Sequence, residues 1–318
     1  MKRLLLRRLL QLPFILLAVY TLTFMLAWLI PGSPLEKSEA RQPPAEVVAA
    51  MESQYRLDDP WHFYWDYLGD ATGVNWLLGQ RDGPIMNLGP SLRHENWNVN
   101  EILAAQLPVS MTLGLLAMLL ACLIGIITGT LAAAKPGSWL DLLSLLIALI
   151  GISLPAFVTG TALLLVGGLW LDWFPVSGWG SPQHMILPAV ALSLPFAAYI
   201  SRLIRAGMLE QMASDHVRTL RALGLPERTI LLRHCLRNAF LPVLSYLGPA
   251  TAAAMTGSFV VERVFAVPGV GNHFIEAVLG KDITLIMGVV LVYSALLVIF
   301  NLVVDLLYGW LDPRIRLA

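Results

Sequence analysis

Hydrophobic residues are concentrated in six long stretches that contain no charged residue, and polar segments separate these stretches. Each stretch is long enough for a helix to cross a hydrocarbon core about 30 Å thick, which takes roughly 20 residues. Within lipid a segment must satisfy its own backbone hydrogen bonds, and the short alternation of barrel strands is missing from the sequence. The pattern therefore predicts an all-α, polytopic membrane protein with six transmembrane helices, at residues 9–35, 105–134, 142–171, 173–201, 238–261 and 283–304.

Composition supports this prediction. Of 318 residues, 57% are hydrophobic and 13% are charged, and the mean hydropathy is +0.70. A water-soluble domain could not bury six such stretches. The formal net charge is zero, so total charge indicates no partner, and we expect none among nucleic acids. Cys122 and Cys235 fall in a predicted span and in a predicted cytoplasmic segment, so we expect no disulfide.

The beginning of the chain resembles a signal sequence in one respect, because basic residues precede an apolar stretch. However, the stretch is longer than a signal core, and it ends in Ile30-Pro-Gly-Ser-Pro34 rather than at a small-x-small cleavage site. We therefore expect a retained first helix.

Basic residues determine the predicted orientation. With six spans, those near the helix ends fall mainly on one side: Lys2, Arg3, Arg7, Arg8, Lys135, Arg202, Arg205, Arg218, Arg221, Arg228, Arg233, Arg237, Arg314 and Arg316. The opposite short loops contain only Arg263 and Lys281. Both termini are therefore predicted to be cytoplasmic. The organisation is then a first helix (1–35), an extracytoplasmic loop (36–104), a five-helix core (105–308) with a cytoplasmic loop at about 208–238, and a cytoplasmic tail (309–318).

The extracytoplasmic loop contains three recognisable segments. Residues 42–52 read as a short helix opened by proline, and residues 89–103 read as a turn followed by a helix at the membrane surface. Between them lies the aromatic segment 61–68. It is interpreted as an interfacial belt, with a ligand site as the alternative.

A transporter driven by protons or sodium usually has charged residues within its spans, and the predicted spans lack them. They contain no charged residue; His184 lies near the outer end of the fourth, and Asn301 and Asp305 are interpreted as a packing and gating pair rather than a proton relay. The only Gly-Lys pair, Gly280-Lys281, is not followed by Ser or Thr, so the chain lacks a phosphate-binding loop. We therefore expect a separate ATPase subunit. A secondary carrier and an intramembrane enzyme are alternatives, but no catalytic pair or metal cluster is found at membrane depth.

Small residues punctuate the spans. Gly125 and Gly129 are spaced for close helix contact, and Pro155, Pro188 and Pro195 are positioned to kink helices. A structural role is expected, with a gate in a pathway as the alternative.

The cytoplasmic loop reads as two helices joined by a turn. Ser214 is a candidate N-cap, and Gly224 is placed for a C-terminal cap with positive φ, with Pro226 opening a second helix that Arg233 and Arg237 would close. In the first helix Val217 and Leu220 share one face, whereas Arg218 and Arg221 share another. This amphipathic segment could dock on a soluble partner, or its arginines could serve only orientation and lipid contact.

This loop resembles the coupling loop of type I ABC importer permeases, in the branch that transports dipeptides, oligopeptides and nickel. The resemblance is carried by Val217-Arg-Thr-Leu-Arg-Ala-Leu-Gly224 and Arg233-His-Cys-Leu-Arg-Asn-Ala-Phe-Leu-Pro242. Other motifs extend it over nearly the whole chain, at residues 7–13, 29–34, 137–141, 153–157, 186–192, 261–271, 301–308 and 311–314. Within the branch, residues 241–250 and the outer loop resemble the B-type permease subunit. One departure is Arg218-Thr-Leu220, where the general signature begins Glu-Ala-Ala.

The resemblance implies a type I ABC importer permease fold and a location in the bacterial cytoplasmic (inner) membrane. It implies half of a translocation pathway for oligopeptides or dipeptides, with nickel or another small solute as the alternative. The implied partners are a second related permease, two ABC ATPase subunits and an extracytoplasmic solute-binding protein. The subunit itself would be non-catalytic, with no cofactor and no metal site.

The resemblance also assigns roles to individual residues. The expected ATPase-coupling residues are Asp215, Arg218, Thr219, Arg221 and Gly224. Read from its own residues rather than from the resemblance, the segment with Pro268, Gly269 and Gly271 is expected to be a tight turn in which glycine supplies positive φ. Together with Glu262 it is expected to form an outer turn or gate, or to meet the binding protein, and a plain connecting turn is the alternative.

Overall fold

The structure is a computed structural model that describes residues 2–31, 57–81, 83–94, 96–256 and 258–311, with side chains described between residues 10 and 306. The short helix predicted at residues 42–52 lies outside the described residues. Within the described residues the chain is helical and has only an isolated bridge between Pro90 and Asn98. Two compact units are present: one is built on Ser110–Pro268 and the chain from Leu297, the other on Leu6–Val109 and Gly269–Leu296.

The helices of the described residues are numbered here along the chain. They are α1 (Lys2–Leu29), α2 (Pro60–Thr72), α3 (Val74–Leu77), α4 (Val99–Ala134), α5 (Trp139–Ser153), α6 (Ala156–Leu163, extended as a π-helix over Leu164–Trp170), α7 (Pro182–Met212), α8 (Asp215–Ala222), α9 (Glu227–Thr229, extended as a π-helix over Ile230–Cys235), α10 (Leu236–Thr256), α11 (Phe259–Val264), α12 (Val270–Leu279) and α13 (Ile283–Leu311). Among the described residues, five helices are long and apolar enough to span a membrane, and there are six if α5 and α6 form one bent span. This agrees with the predicted all-α fold and six spans.

The third predicted span is sharply bent, as the kink predicted at Pro155 requires. The axes of α5 and α6 differ by 110°. The break lies at Leu154, whose φ of −85° and ψ of 130° are extended. Pro155 explains it, because proline disfavours the α region for the residue before it.

The fourth span begins later than the hydropathy pattern predicts. Residues 172–181 are not helical, and α7 begins at Pro182 after the N-cap residue Ser181. Gly178 and Gly180 have φ values of 110° and 118°, which a helix cannot accommodate. The helix then continues through Arg202 and Arg205 to Met212. Helix α7 therefore begins and ends later along the chain than the predicted window of residues 173–201.

Two loop helices proved to be parts of longer helices. The helix expected at the membrane surface begins at Val99, where Glu101 Oε2 accepts a hydrogen bond from Asn98 N at 3.1 Å, and it runs without a break to Ala134. Likewise the second loop helix does not end at Arg233 or Arg237, because helical backbone continues from α9 into α10. Local turn signals could not reveal this continuity.

Small residues bring α4 and α7 into close contact in the first unit. A Cβ atom on Gly125 would lie 2.8 Å from the Ala197 carbonyl oxygen, and one on Gly129 would lie 2.6 Å from that of Ser201. Thr128 Oγ1 donates to Ser201 Oγ at 3.0 Å in the same contact. The close packing predicted from the Gly-x-x-x-Gly spacing is confirmed.

An aromatic cluster forms the core between α1 and α2 in the second unit. Tyr20 and Phe24 of α1 pack against Phe63 and Tyr64 of α2, and Tyr20 Oη donates to the Tyr64 carbonyl oxygen at 2.5 Å. The aromatic segment 61–68 thus contributes side chains to a core. Neither of the two interpretations, an interfacial belt or a ligand site, included this role. Two of its tryptophans, Trp61 and Trp65, remain exposed at 71% and 63%.

Candidate coupling surface

Helix α8 begins at a side-chain cap and is pinned to the first unit by one apolar face. Ser214 Oγ accepts from Val217 N at 3.5 Å, as predicted for an N-cap. Val217 is 1% exposed and belongs to a hydrophobic cluster with Met208 of α7 and Ala239 of α10, and Leu220 packs against the same cluster. The shared face predicted for Val217 and Leu220 is therefore confirmed.

Gly224 closes α8 in a hydrogen-bonded turn of the Schellman type. Its φ is 77°, and Gly224 N donates to the Arg221 carbonyl oxygen at 3.0 Å. Leu225 N donates to the Leu220 carbonyl oxygen at 3.2 Å, and the two leucine side chains pack on the same cluster. These two bonds and the apolar contact define the motif, which confirms the predicted cap with positive φ.

The opposite face of α8 is charged and exposed. Arg218 Nη1 donates to Asp215 Oδ1 at 3.0 Å, with both side chains largely in solvent, and Thr219 Oγ1 donates to the Asp215 carbonyl oxygen at 3.0 Å. Arg221 makes a two-pronged pair with Glu227 across the turn, at 2.7 and 3.3 Å. The structure thus brings all five predicted coupling residues onto one short helix and its closing turn.

These exposed ion pairs contribute little to stability, because water screens them. The Arg221–Glu227 pair matters more for the geometry, because it links the end of α8 to the start of α9 across the turn. Leu223 stands beside the turn with 70% of its surface exposed. We call α8 and the turn to Glu227 the α8 knob. One face of it is charged and exposed, and the other is apolar and packed against the first unit.

A buried ion pair near this region was not predicted. Arg205 Nε donates to Asp141 Oδ1 at 2.6 Å and Nη2 to Oδ2 at 2.9 Å, and Asp141 is 3% exposed. Gly137 N also donates to Asp141 Oδ2 at 2.9 Å, so the pair ties the turn before α5 to α7. From the sequence, Arg205 contributed only to the predicted orientation, and Asp141 was noted only as the last residue of the motif at 137–141. The motif 137–141 was the one available signal.

The predicted outer turn differs from its expected conformation. Gly269 has a φ of −101° and a ψ of 177°, and Gly271 lies within α12, so neither supplies positive φ. The positive φ is at Ala266, 49°, and Val267 N donates to the Glu262 carbonyl oxygen at 2.9 Å, which caps α11. The prediction of positive-φ glycines at this turn was wrong, because the helix end upstream forms the tight turn.

Glu262 and the helix-six pair lie elsewhere in the first unit. Glu262 is fully buried and accepts a short hydrogen bond from Ser258 Oγ. Asn301 Oδ1 lies 3.0 Å from the position that a Cβ of Gly248 would occupy, which places Asn301 in a tight contact between α13 and α10. Asp305 is half-buried one turn further along α13. The packing and gating role of the Asn301–Asp305 pair stays a prediction.

Comparison with known proteins identifies the family. Residues 1–114 match the N-terminal part, and residues 124–317 the main part, of the family described as binding-protein-dependent transport system inner membrane components. The dipeptide transport system permease protein DppB of Bacillus subtilis (strain 168) is 38% identical over 318 residues, covering 100% of this chain and 99% of that protein. The oligopeptide transport system permease protein OppB of Salmonella typhimurium (strain LT2) is 40% identical over 319 residues, covering 99% and 100%.

Solved structures agree at the level of the fold. An inward-facing form of the MetNI methionine ABC transporter has a TM-score of 0.56 and 16% identity, covering 66% of this chain and 96% of that chain. An amino acid ABC transporter has a TM-score of 0.51 and 18% identity, covering 66% and 94%. Two matched segments span most of the chain, and its full-length relatives are near 40% identical. The chain therefore belongs to the family of binding-protein-dependent transport system inner membrane components, the permease subunits of ABC importers.

Proposed function

We propose that this chain forms half of the translocation pathway of an ATP-driven importer of oligopeptides or dipeptides. The relatives named as oligopeptide and dipeptide permeases support the substrate class. The proposed assembly contains a second related permease, two ABC ATPase subunits and an extracytoplasmic solute-binding protein. The proposed orientation in the bacterial inner membrane places both termini and the α8 knob in the cytoplasm, in keeping with the distribution of basic residues.

The α8 knob is the proposed receiver of force from an ATPase subunit, and one observation carries this role. The charged face of the knob is exposed, while Val217 on its other face is fixed among Met208 of α7 and Ala239 of α10. Closely packed side chains transmit displacement rather than absorb it. A partner that moves the knob would therefore move the ends of two spans.

This arrangement suits alternating access driven from outside the membrane. Closure of the ATPase subunits on nucleotide would make contacts in one conformation of the permease that are absent in the other, which shifts the equilibrium between inward and outward access. The proposed coupling residues are Asp215, Arg218, Thr219, Arg221 and Gly224. In this scheme the chain itself does no covalent chemistry.

The outer residues have a separate proposed role. Glu262, Pro268, Gly269 and Gly271 are proposed to limit access from the outside or to meet the binding protein, and Asn301 with Asp305 to form a packing and gating contact. The burial of Glu262 supports a role in holding the end of α11 rather than direct contact with solute.

The test is reconstitution of the chain in proteoliposomes with its second permease, ATPase subunits and binding protein. We expect uptake of labelled peptide that requires ATP, and no uptake by this chain alone driven by an ion gradient. Uptake of nickel but not of peptide would show that the substrate is a metal ion rather than a peptide. Gradient-driven uptake by the chain alone would refute the proposed function.

A variant tests the placement of the coupling turn. Gly224→Pro cannot adopt the native φ of 77° and removes the N–H that bonds to Arg221. We expect the protein to insert and assemble but to hydrolyse ATP without transporting peptide. Normal transport by this variant would show that the turn has another role.

A further inference from the structure

Among the described residues, one group of three side chains is arranged as metal ligands. It consists of His94, which precedes α4, and His273 and Glu276 of α12, all in the second unit. One ligand atom from each residue can be chosen so that all lie within 4.8 Å of one another. His94 and His273 are 179 positions apart in the sequence, which is why no motif revealed them and why no metal site was expected.

The separation of the two imidazoles fits a shared cation better than a direct hydrogen bond. His94 Nε2 and His273 Nδ1 are 3.4 Å apart, and their rings are nearly perpendicular. Hydrogen bonds from N–H groups are usually about 2.7–3.2 Å long. Two nitrogen ligands at about 2.05 Å from a tetrahedral zinc ion lie about 3.3 Å apart. The observed distance between the two nitrogens therefore matches that of two zinc ligands.

The third ligand comes from the same helix face as the second. His273 and Glu276 are three residues apart on α12, and side chains at this spacing are neighbours on a helix. Glu276 is exposed and both histidines are half-buried, so an ion from solvent can reach the group. Two neutral imidazoles and one carboxylate are a typical zinc ligand set, with one position left for water.

The backbone around His94 is held independently of any ion. His94 N donates to Ser91 Oγ at 2.9 Å, and Ser91 Oγ makes a short hydrogen bond with the buried carboxylate of Asp282. Asp282 N donates in turn to the Ala277 carbonyl oxygen at 2.8 Å, at the end of α12. The loop that carries His94 is thus fixed to the helix that carries the other two ligands.

The charges around the group also permit a cation. The nearest arginine in the sequence, Arg93, directs Nη1 to the Gly280 carbonyl oxygen at 3.4 Å.

We infer that His94, His273 and Glu276 form a binding site for a divalent late transition-metal ion, with zinc as the best fit. The site would lie on the extracytoplasmic side in the proposed orientation, but its existence does not depend on that orientation or on the transported solute. A bound ion would join the loop before α4 to α12 and stiffen this part of the second unit.

Zinc binding by the tag-free, full-length protein in detergent tests this inference. The measurement is the zinc content after dialysis against a zinc buffer, together with the affinity from competition with a coloured chelator. We expect the protein to bind one zinc ion per chain. His273→Gln and Glu276→Gln should each lower the zinc affinity by at least roughly 10- to 100-fold, the cost of losing a residue that only supports a metal ligand. X-ray absorption should show nitrogen and oxygen ligands at about 2.0–2.1 Å and no sulfur.

A second histidine pair provides the matched control. The rings of His216 and His234 are 5.8 Å apart, and they belong to no three-ligand group among the described residues. His216→Gln/His234→Gln removes the same number of imidazoles and should leave zinc content and affinity unchanged. Glu276→Gln alters an exposed side chain and keeps its size, so it tests the site with little change to the packing of α12. Wild-type affinity in both His273→Gln and Glu276→Gln, or equal loss in the control, would overturn the site and leave the proposed transport function untouched.

Discussion

Gly224→Ala is the most informative single change, because it strains the coupling turn without introducing a steric clash. The native φ is 77°, and no atom lies within 4 Å of the position that a Cβ would occupy. The only local penalty is the left-handed conformation, which costs an L-residue about 1–2 kcal/mol. That penalty lowers the population of the native turn relative to its alternatives by about 5- to 30-fold. The α8 knob would then yield when a partner pushes it.

The assay is the number of peptides transported per ATP hydrolysed in proteoliposomes that contain the complete importer. We expect Gly224→Ala to lower this ratio severalfold while ATP hydrolysis continues. Gly224→Asn should lower it less, because asparagine tolerates positive φ better than alanine.

The control is Gly79→Ala in the loop of the second unit. Gly79 has a φ of 67° and also has no atom within 4 Å of a built Cβ, so the substitution carries the same strain. It lies outside the α8 knob and should leave the ratio unchanged. Equal ratios for Gly224→Ala and Gly79→Ala would refute the reasoning that a stiff turn at Gly224 transmits force.

Three further substitutions test the packing that supports the site, each by thermal unfolding of the purified protein. Asp141→Asn leaves the 26%-exposed guanidinium of Arg205 without its charge partner and should destabilise by about 1–3 kcal/mol, because the guanidinium keeps part of its hydration; an unchanged midpoint would contradict an ion pair that ties α7 to the turn before α5. Ala266→Gly relieves a φ of 49° and should stabilise by about 1 kcal/mol; destabilisation would contradict the left-handed cap. Gly129→Ala places a Cβ 2.6 Å from the Ser201 carbonyl oxygen and should destabilise by about 1–3 kcal/mol; a neutral effect would show that α4 and α7 separate easily.

The spans were predictable because lipid imposes a length and a polarity on any helix that crosses it. Their ends were less predictable, because they depend on a few local residues. Pro155 was visible as a kink, but a bend of 110° depends on how the two halves pack. Ser181 and Pro182 are a helix-start signal that the uncharged run of residues 173–181 concealed.

The α8 knob was predictable because capping chemistry acts over a few residues. Ser214 and Gly224 occupy the roles that their side chains favour. At the outer turn the same logic failed, because Ala266 adopts positive φ although alanine has no preference for it. Only the packing of buried Glu262 and Val267 around this turn explains that choice.

Long-range pairs were beyond sequence reasoning. Arg205 and Asp141 are 64 positions apart, and His94 and His273 are 179 positions apart. No periodicity links such residues, and the fold alone brings them together. The shared helix of His273 and Glu276 is the one part of that group that spacing could have suggested.

The central claim is that the α8 knob lies in the cytoplasm against a nucleotide-hydrolysing partner. Leu223 lies beside the turn and is 70% exposed, so it is the position to probe. The variant is Leu223→Cys in a Cys122→Ala background. The native Cys235 is buried and serves as an unreactive internal reference. The measurement is thiol cross-linking in sealed membrane vesicles of known orientation that contain the whole complex. The account predicts a cross-link to an ATPase subunit whose yield changes with ATP, and no labelling by an impermeant reagent from the outside. Labelling from the outside, or an absence of any cross-link to the ATPase, would contradict it.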